Sequence, residues 1–343
     1  MADYNLLSKG LHFLALGQPM IAQAALDIEF ATFGRKLSDV TTGHHVFVMG
    51  LARAGTTILT RSLHNMSQLG SLTYRDMPFV LAPNCWSKVS TISSKKMTER
   101  ERIHGDGIYV DYDSPEALEE VFWRISVGED YIKKFTLTPH SVPSELIEKY
   151  RKYVSTILYR YGKNRYLSKN NNNILRIGSI VEAFPNSFIL VPFRKPLQQS
   201  ASLLNQHLKL LELQQRDPFI ERYMNWLGHH EFGKGHKSFD LTEKRGNYQD
   251  SQSIEYWLDH WLMTYSYLLD SYNEFNRHMI FICYESLCDN SQNIWESLLE
   301  QLSIENIQRR PEFRIGKTTT LNGIDHSQLV AAENVYNNLC SLC

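Results

Sequence analysis

Three apolar runs punctuate the chain. Val46 to Met49, Ser187 to Phe193 and His278 to Tyr284 read as strands buried on both faces of a parallel sheet. Arg165 to Lys169 is a shorter strand ending in a lysine. Between these runs the period changes. Leu197, Ala201, Leu204, Leu208 and Leu211 step by four, three, four and three, which predicts a helix. Helices are also predicted from Ser144 to Tyr161, stopped by Gly162, from Ile254 to Phe275 and from Ile294 to Leu302. Asn170 to Asn173 leads into a further amphipathic helix, with Ile174, Ile177, Ile180, Val181 and Phe184 on its apolar side. Ser114-Pro115-Glu116 has the form of a helix start, with serine as N-cap, proline at N1 and an acid in the first turn. Strands alternating with helices predict an α/β fold, a central parallel sheet flanked by helices.

Residues 1–343 read as a single domain, with no internal repeat and no low-complexity linker. Residues 1–40 form an N-terminal helical segment; Leu11 to Leu16 loosely imitates a secretory signal, but His12, Gln18 and Pro19 interrupt it. Ser71 to Pro83 is a short extended or turning piece carrying Tyr74, Arg75 and Asp76, and Lys88 to Arg102 an exposed basic loop running into a helix. Residues 214–253, rich in Gly, His and aromatic side chains, read as a lid or insertion. No segment approaches the roughly twenty apolar residues of a membrane span.

Composition narrows the partners. Lys and Arg number 36 against 37 Asp and Glu, so no global field recruits nucleic acid or an anionic membrane, and any anion site is local. Five cysteines without paired metal spacing suit free thiols in the cytoplasm, the terminal Cys340 and Cys343 reading as a frayed tail. His229, His230 and His236 lack a nearby cysteine or helical His spacing, so an acceptor-facing segment is preferred to a metal site.

The chemistry concentrates where the first strand ends. Gly50 and Gly55 bound a loop that opens into a helix at Thr56 and Thr57, so unpaired backbone N–H groups and the positive end of the helix dipole converge on one point. The spacing is that of a P-loop, except that Thr56 stands where a Walker A loop has lysine. The basic group lies inside the loop, as Arg53. A loop without the lysine that reaches the β- and γ-phosphates is poorly equipped for ATP. Arg194 follows the Phe188 to Phe193 strand and Ser202 lies eight residues further on. At the carboxyl end of the sheet these make a second anion site on the same crevice, unless Arg194 is only a surface ion-pair partner.

Gly50 to Thr57 resembles the 5′-phosphosulfate loop of sulfotransferases, and Phe184 to Leu204 resembles that family's 3′-phosphate region. Lys169-Asn170 and Cys283 to Leu287 resemble recurring features of its bacterial and Golgi-type branch. Ala52, Ala54 and Lys195 depart from the residues common at those places. The resemblance implies a P-loop-like fold and the sulfuryl donor 3′-phosphoadenosine 5′-phosphosulfate, with no metal. It implies that Arg53, Ala54, Gly55, Thr56 and Thr57 hold the 5′-phosphosulfate, that Arg194 and Ser202 hold the 3′-phosphate, and that a small-molecule, lipid or glycan hydroxyl is the acceptor.

An acceptor hydroxyl requires a base. Asp76, a short helix beyond the loop, is the first candidate, with a salt bridge to Arg75 or another cation as its structural alternative. His104, beside a glycine turn, is the second. Two other readings stay open: a P-loop kinase-like phosphotransferase, disfavoured by Thr56, and a nucleotide-binding protein without turnover.

Overall fold

A computed structural model of the chain describes residues 6–90, 100–101, 109–110, 115–241, 250–289, 291–305, 312–313 and 325–343. The chain opens with helices α1 (Leu6–Gly17) and α2 (Pro19–Phe33), then β1 (Val46–Val48), α3 (Thr56–His64), β2 (Leu69–Gly70) and α4 (Pro83–Ser90). A hairpin of β3 (Arg100–Glu101) and β4 (Tyr109–Val110) precedes α5 (Glu120–Tyr131), β5 (Thr136–Leu137), α6 (Ser144–Tyr161) and β6 (Arg165–Lys169). Next come α7 (Ile177–Ala183), β7 (Phe188–Phe193), α8 (Pro196–Arg216), α9 (Pro218–Leu227), β8 (Ser238–Phe239) and α10 (Ile254–Phe275). The described chain ends with β9 (Met279–Cys283), α11 (Tyr284–Asp289), α12 (Ser291–Gln301) and α13 (His326–Cys340).

The main sheet has five strands in the order β2-β6-β1-β7-β9, every neighbouring pair parallel. Its strands read as apolar runs because both faces are covered. Val46, Val48, Leu190 and Ile282 pack on one face with Leu59 and Leu63 of α3 and with Trp295 and Leu298 of α12. Phe47, Ile189, Val191 and Phe281 point the opposite way, into the larger core built by α5, α6, α8 and α10. Pro192 lies one residue from the end of β7, where its carbonyl accepts from the Tyr265 hydroxyl at 3.0 Å. Gly162 ends α6 in the left-handed region, with φ +61°.

Several local expectations yield to long-range contacts. The helix expected to start at Ser114 begins at Glu120. Pro115 is drawn into a bridge with Thr73, and Glu116 bends back onto the amide of Ala117; Ser114 lies outside the described residues. Pro83 opens α4, so that Lys88 is helical; the Glu29 carboxylate of α2 accepts from the amides of Asn84 and Cys85 at 3.0 Å each and caps that helix. Cys340 is not on a frayed tail, while Cys343 is exposed beyond the last helix. Cys340 ends α13, which packs on α8, α10 and β9 and buries Ala332 and Leu339. Over 217–241, the stretch expected as a lid or insertion contributes Phe219, Tyr223, Leu227, Phe232 and Phe239 to the main core. No described helix is long and apolar enough to cross a membrane.

A buried ion pair ties α5 to the turn after β6. Arg176 donates to both carboxylate oxygens of Glu120, at 2.7 and 3.0 Å, with neither side chain exposed. Asn170 Nδ2 at 2.7 Å and the Tyr131 hydroxyl complete the carboxylate's partners. Burial alone would raise the Glu120 pKa, but the Arg176 charge and these hydrogen bonds hold it below the usual range. Glu120→Ala strands the guanidinium in the core. It should cost about 3–5 kcal/mol, read as a lowered midpoint in urea unfolding, and an unchanged midpoint would contradict this.

Candidate functional site

β1 delivers the chain to Gly50, whose φ of +134° lies outside the range of ordinary side chains. Arg53 is left-handed too, at φ +68°, an uncommon state for a non-glycine residue. Gly55 closes the turn at φ +88° and serves as N-cap of α3 without a side chain to satisfy the first-turn amides. A Cβ there would collide with the Tyr284 ring, so glycine is favoured on steric grounds as well.

The loop is held from behind. Gln199 of α8, fully buried, donates from Nε2 to the Ala52 carbonyl at 3.0 Å, while its Oε1 accepts from the Arg194 amide at 3.2 Å and from Trp261 Nε1 at 2.9 Å. Arg194 Nη1 donates to the Arg53 carbonyl at 3.3 Å. In a trans peptide the C=O and the next N–H point opposite ways. With the carbonyls of Ala52 and Arg53 engaged on this side, the amides of Arg53 and Ala54 point away from these partners.

The second expected anion site meets the first directly. Arg53 Nε donates to Ser202 Oγ at 3.0 Å. The Arg194 guanidinium lies 5.2 Å over the Tyr284 ring, and its Nε is 3.9 Å from Glu285 Oε1. Glu285 also accepts from the Lys195 amide at 3.1 Å. Arg53, Ala54, Gly55, Thr56, Thr57, Arg194 and Ser202 are therefore brought together at the carboxyl edge of β1 and β7. Ala54 and Thr56 are buried, and Thr57 is half-buried. Gln199 was invisible to sequence reasoning, because a glutamine within a helical repeat carries no sign that it will reach a distant carbonyl.

The base candidates fare differently. Asp76 is engaged on its own turn: its Oδ2 accepts from the Thr73 amide at 2.9 Å and from the Tyr161 hydroxyl at 2.6 Å, closing a capping box. The side chain is 1% exposed, and the charges of Arg160 and Arg75 act on its carboxyl. His104 lies outside the described residues, as do Arg309, Arg310, Arg314 and Lys317. Glu116, expected as a first-turn helix acid, instead lies 3.6 Å from Lys169 Nζ at the end of β6 and accepts from the Tyr74 hydroxyl at 3.1 Å. The three histidines of the 229–236 stretch are each engaged: His229 Nε2 with the Ala117 carbonyl at 2.8 Å, His230 Nδ1 with the Gly235 carbonyl at 3.0 Å, and His236 Nε2 with the Tyr256 hydroxyl at 2.6 Å. Among the described residues no cluster of His, Cys, Asp and Glu could hold a metal ion.

A parallel sheet whose central strand feeds a glycine-bounded loop and the N-terminus of a helix defines a P-loop-like α/β protein. Within that class the chain belongs to the sulfotransferase family, whose model matches residues 45–230. Sulfotransfer is accordingly its general activity. A comparison with curated proteins finds no match. Similar solved structures include sulfotransferases from Mycobacterium tuberculosis (11% identity, 94% of this chain and 83% of that one, TM-score 0.48) and Mycobacterium avium (13%, 92% and 75%, TM-score 0.48). Another comes from Alicyclobacillus acidocaldarius, at 12% identity over 87% of this chain and 92% of that one, with a TM-score of 0.43.

The burial of Asp76 has a pH consequence. Burial raises its pKa from 3.8 to about 6, although the Thr73 amide and Tyr161 hydroxyl favour the ionised form. Between those values the folded carboxyl keeps a proton that the unfolded one has released, so stability from this group falls as pH rises. The loss is at most about 3 kcal/mol. Asp76→Asn should remove this part of the slope in urea unfolding followed from about pH 4 to about pH 7. Equal slopes in the two proteins would contradict it.

Proposed function

We propose that the protein moves the sulfuryl group of 3′-phosphoadenosine 5′-phosphosulfate to a hydroxyl acceptor. The observation that carries this reading is the contact between Arg53 Nε and Ser202 Oγ, which joins a P-loop-like turn to the arm that carries Arg194. The residues suit such a donor. Amides of the Arg53 to Thr57 turn and the start of α3 would hold the 5′-phosphate, with the Thr56 and Thr57 hydroxyls beside them. Arg194 and Ser202 would hold the 3′-phosphate, a group that ATP lacks.

Sulfuryl transfer, like loose phosphoryl transfer, asks a protein for positioning and charge stabilisation more than covalent chemistry. Arg53 would face the bridging oxygen on which charge appears as the sulfur leaves. Its left-handed backbone, fixed through its carbonyl by Arg194, sets where the guanidinium starts. Thr56 in the lysine position argues against a kinase. Carbohydrate, lipid and small metabolite hydroxyls are the acceptor classes. Free thiols favour the cytoplasm as compartment.

Calorimetry with 3′-phosphoadenosine 5′-phosphate and with ATP tests the donor. The first should bind at least about tenfold more tightly, a difference of about 1.4 kcal/mol. Tighter ATP binding would overturn the reading in favour of a kinase-like phosphotransferase.

A further inference from the structure

We propose that the outer side of the α1–α2 hairpin docks on a bilayer that carries anionic phospholipids. The proposal does not depend on the identity of the sulfuryl donor. It starts from α2, which is apolar almost all round. Its inner side, with Ala22, Leu26 and Phe33, is buried where the helix packs on α4, α5 and α6. The opposite side brings Met20, Ile21, Ala24 and Ile28 to the surface, Met20 84% and Ile28 58% exposed. A helix that is hydrophobic on every side is ordinarily covered on every side. The adjoining α1 repeats the pattern. It buries Ala15 and Leu16 and packs on α2 and α9, while Leu7 and Leu14 point outward, Leu7 at 85% exposure. Leu7 and Leu14, like Ile21 and Ile28, are two turns apart, so each pair shares a face. A contiguous exposed apolar surface of this kind marks an interaction site.

Lysines border it. Lys149 Nζ of α6 donates to Gln23 Oε1 at 3.1 Å, and Lys152 Nζ lies 4.5 Å over the Phe30 ring. Gln23 and Phe30 are themselves two turns apart, so these two lysines run along one flank of α2. Lys36 and Lys88 continue the row around the end of the helix, their Nζ atoms 5.8 and 4.8 Å over the Phe33 ring. Acids nearby do not cancel this charge. Glu29 is buried as the cap of α4, Glu148 pairs with Arg151, and Asp27, the exposed acid of α2, accepts from Gln23 Nε2 at 2.9 Å. The net charge of the whole chain is -1, so the basic rim is a local feature laid beside the apolar face.

That combination selects the occupant. At a bilayer the lysine stem lies along apolar side chains while its ammonium reaches a lipid phosphate, and each lysine held near an anionic leaflet adds to binding. Protein interfaces, by contrast, are depleted of lysine, and a stable one takes roughly 20–30 residues a side, more than the outer sides of a 12-residue and a 15-residue helix present. The hairpin would lie in the plane of the headgroups with its apolar side inward, which asks for no membrane span.

The test mixes the full chain with vesicles of phosphatidylcholine alone and of equal parts phosphatidylcholine and phosphatidylserine, and reads the bound fraction by cosedimentation. At low salt the wild type should bind the anionic vesicles at least about tenfold more strongly than the neutral ones, and rising salt should narrow that difference. Met20→Glu with Ile28→Glu, and Lys36→Gln with Lys88→Gln and Lys152→Gln, should each weaken binding to the anionic vesicles at least about tenfold. All five side chains are exposed, so both variants should keep the wild-type midpoint in urea unfolding. Wild-type protein that stays in the supernatant with both vesicles overturns the proposal, as does equal binding to the two or binding that either variant leaves unchanged. A wild type that is dimeric in lipid-free buffer, and monomeric once Met20→Glu and Ile28→Glu are introduced, gives the face to a second copy of the chain and overturns it too.

Discussion

The loop between β1 and α3 keeps its shape because its carbonyls have been claimed by the next strand and helix. Gln199 takes that of Ala52, and Arg194 takes that of Arg53. A buried carbonyl without a partner is unfavourable by kilocalories, so these contacts fix the direction of each peptide plane and turn the amides the other way. The shape of the loop and the position of the β7–α8 arm are thus one structural fact. The arginine that would neutralise a 3′-phosphate also holds the backbone that would hold the 5′-phosphate.

Around that joint the protein places rigid, dry supports. Tyr265 and Trp261 of α10 bond to the Pro192 carbonyl and to Gln199. On the other side of β1, the Glu120–Arg176 pair pins the asparagine run after β6, and with it the end of the strand that carries Lys169. A polar network of this kind is stable only while every member is satisfied, which makes it a positioning device more than a source of net stability. The orphaned oxygens of Asn171 and Asn172 lie at its margin, next to the loop.

Much of this was legible in the sequence, for identifiable reasons. Strands buried on both faces leave near-continuous apolar runs, so β7 and β9 were readable within a residue or two of their ends, and the glycines of the loop mark backbone that other residues rarely adopt. Arg194 and Ser202 were readable as neighbours of the loop because a parallel sheet gathers strand ends on one edge. What escaped depends on contacts distant in sequence. Thr73 overrides the helix start at Pro115, the Tyr161 hydroxyl reaches across to Asp76, and α13 finds its apolar partners on α8 and α10. Gln199 has no local signature at all, since its significance arises only when α8 meets the loop.

The joint between the two anion seats is most directly tested by the ratio of affinities for 3′-phosphoadenosine 5′-phosphate and adenosine 5′-monophosphate, measured in the wild type and in Arg194→Ala. The wild type should favour the bisphosphate by at least about tenfold, and the variant should lose that preference along with part of its affinity for both nucleotides, because the loop backbone loses a partner too. Equal affinities in the wild type, or a preference untouched by Arg194→Ala, would contradict the account.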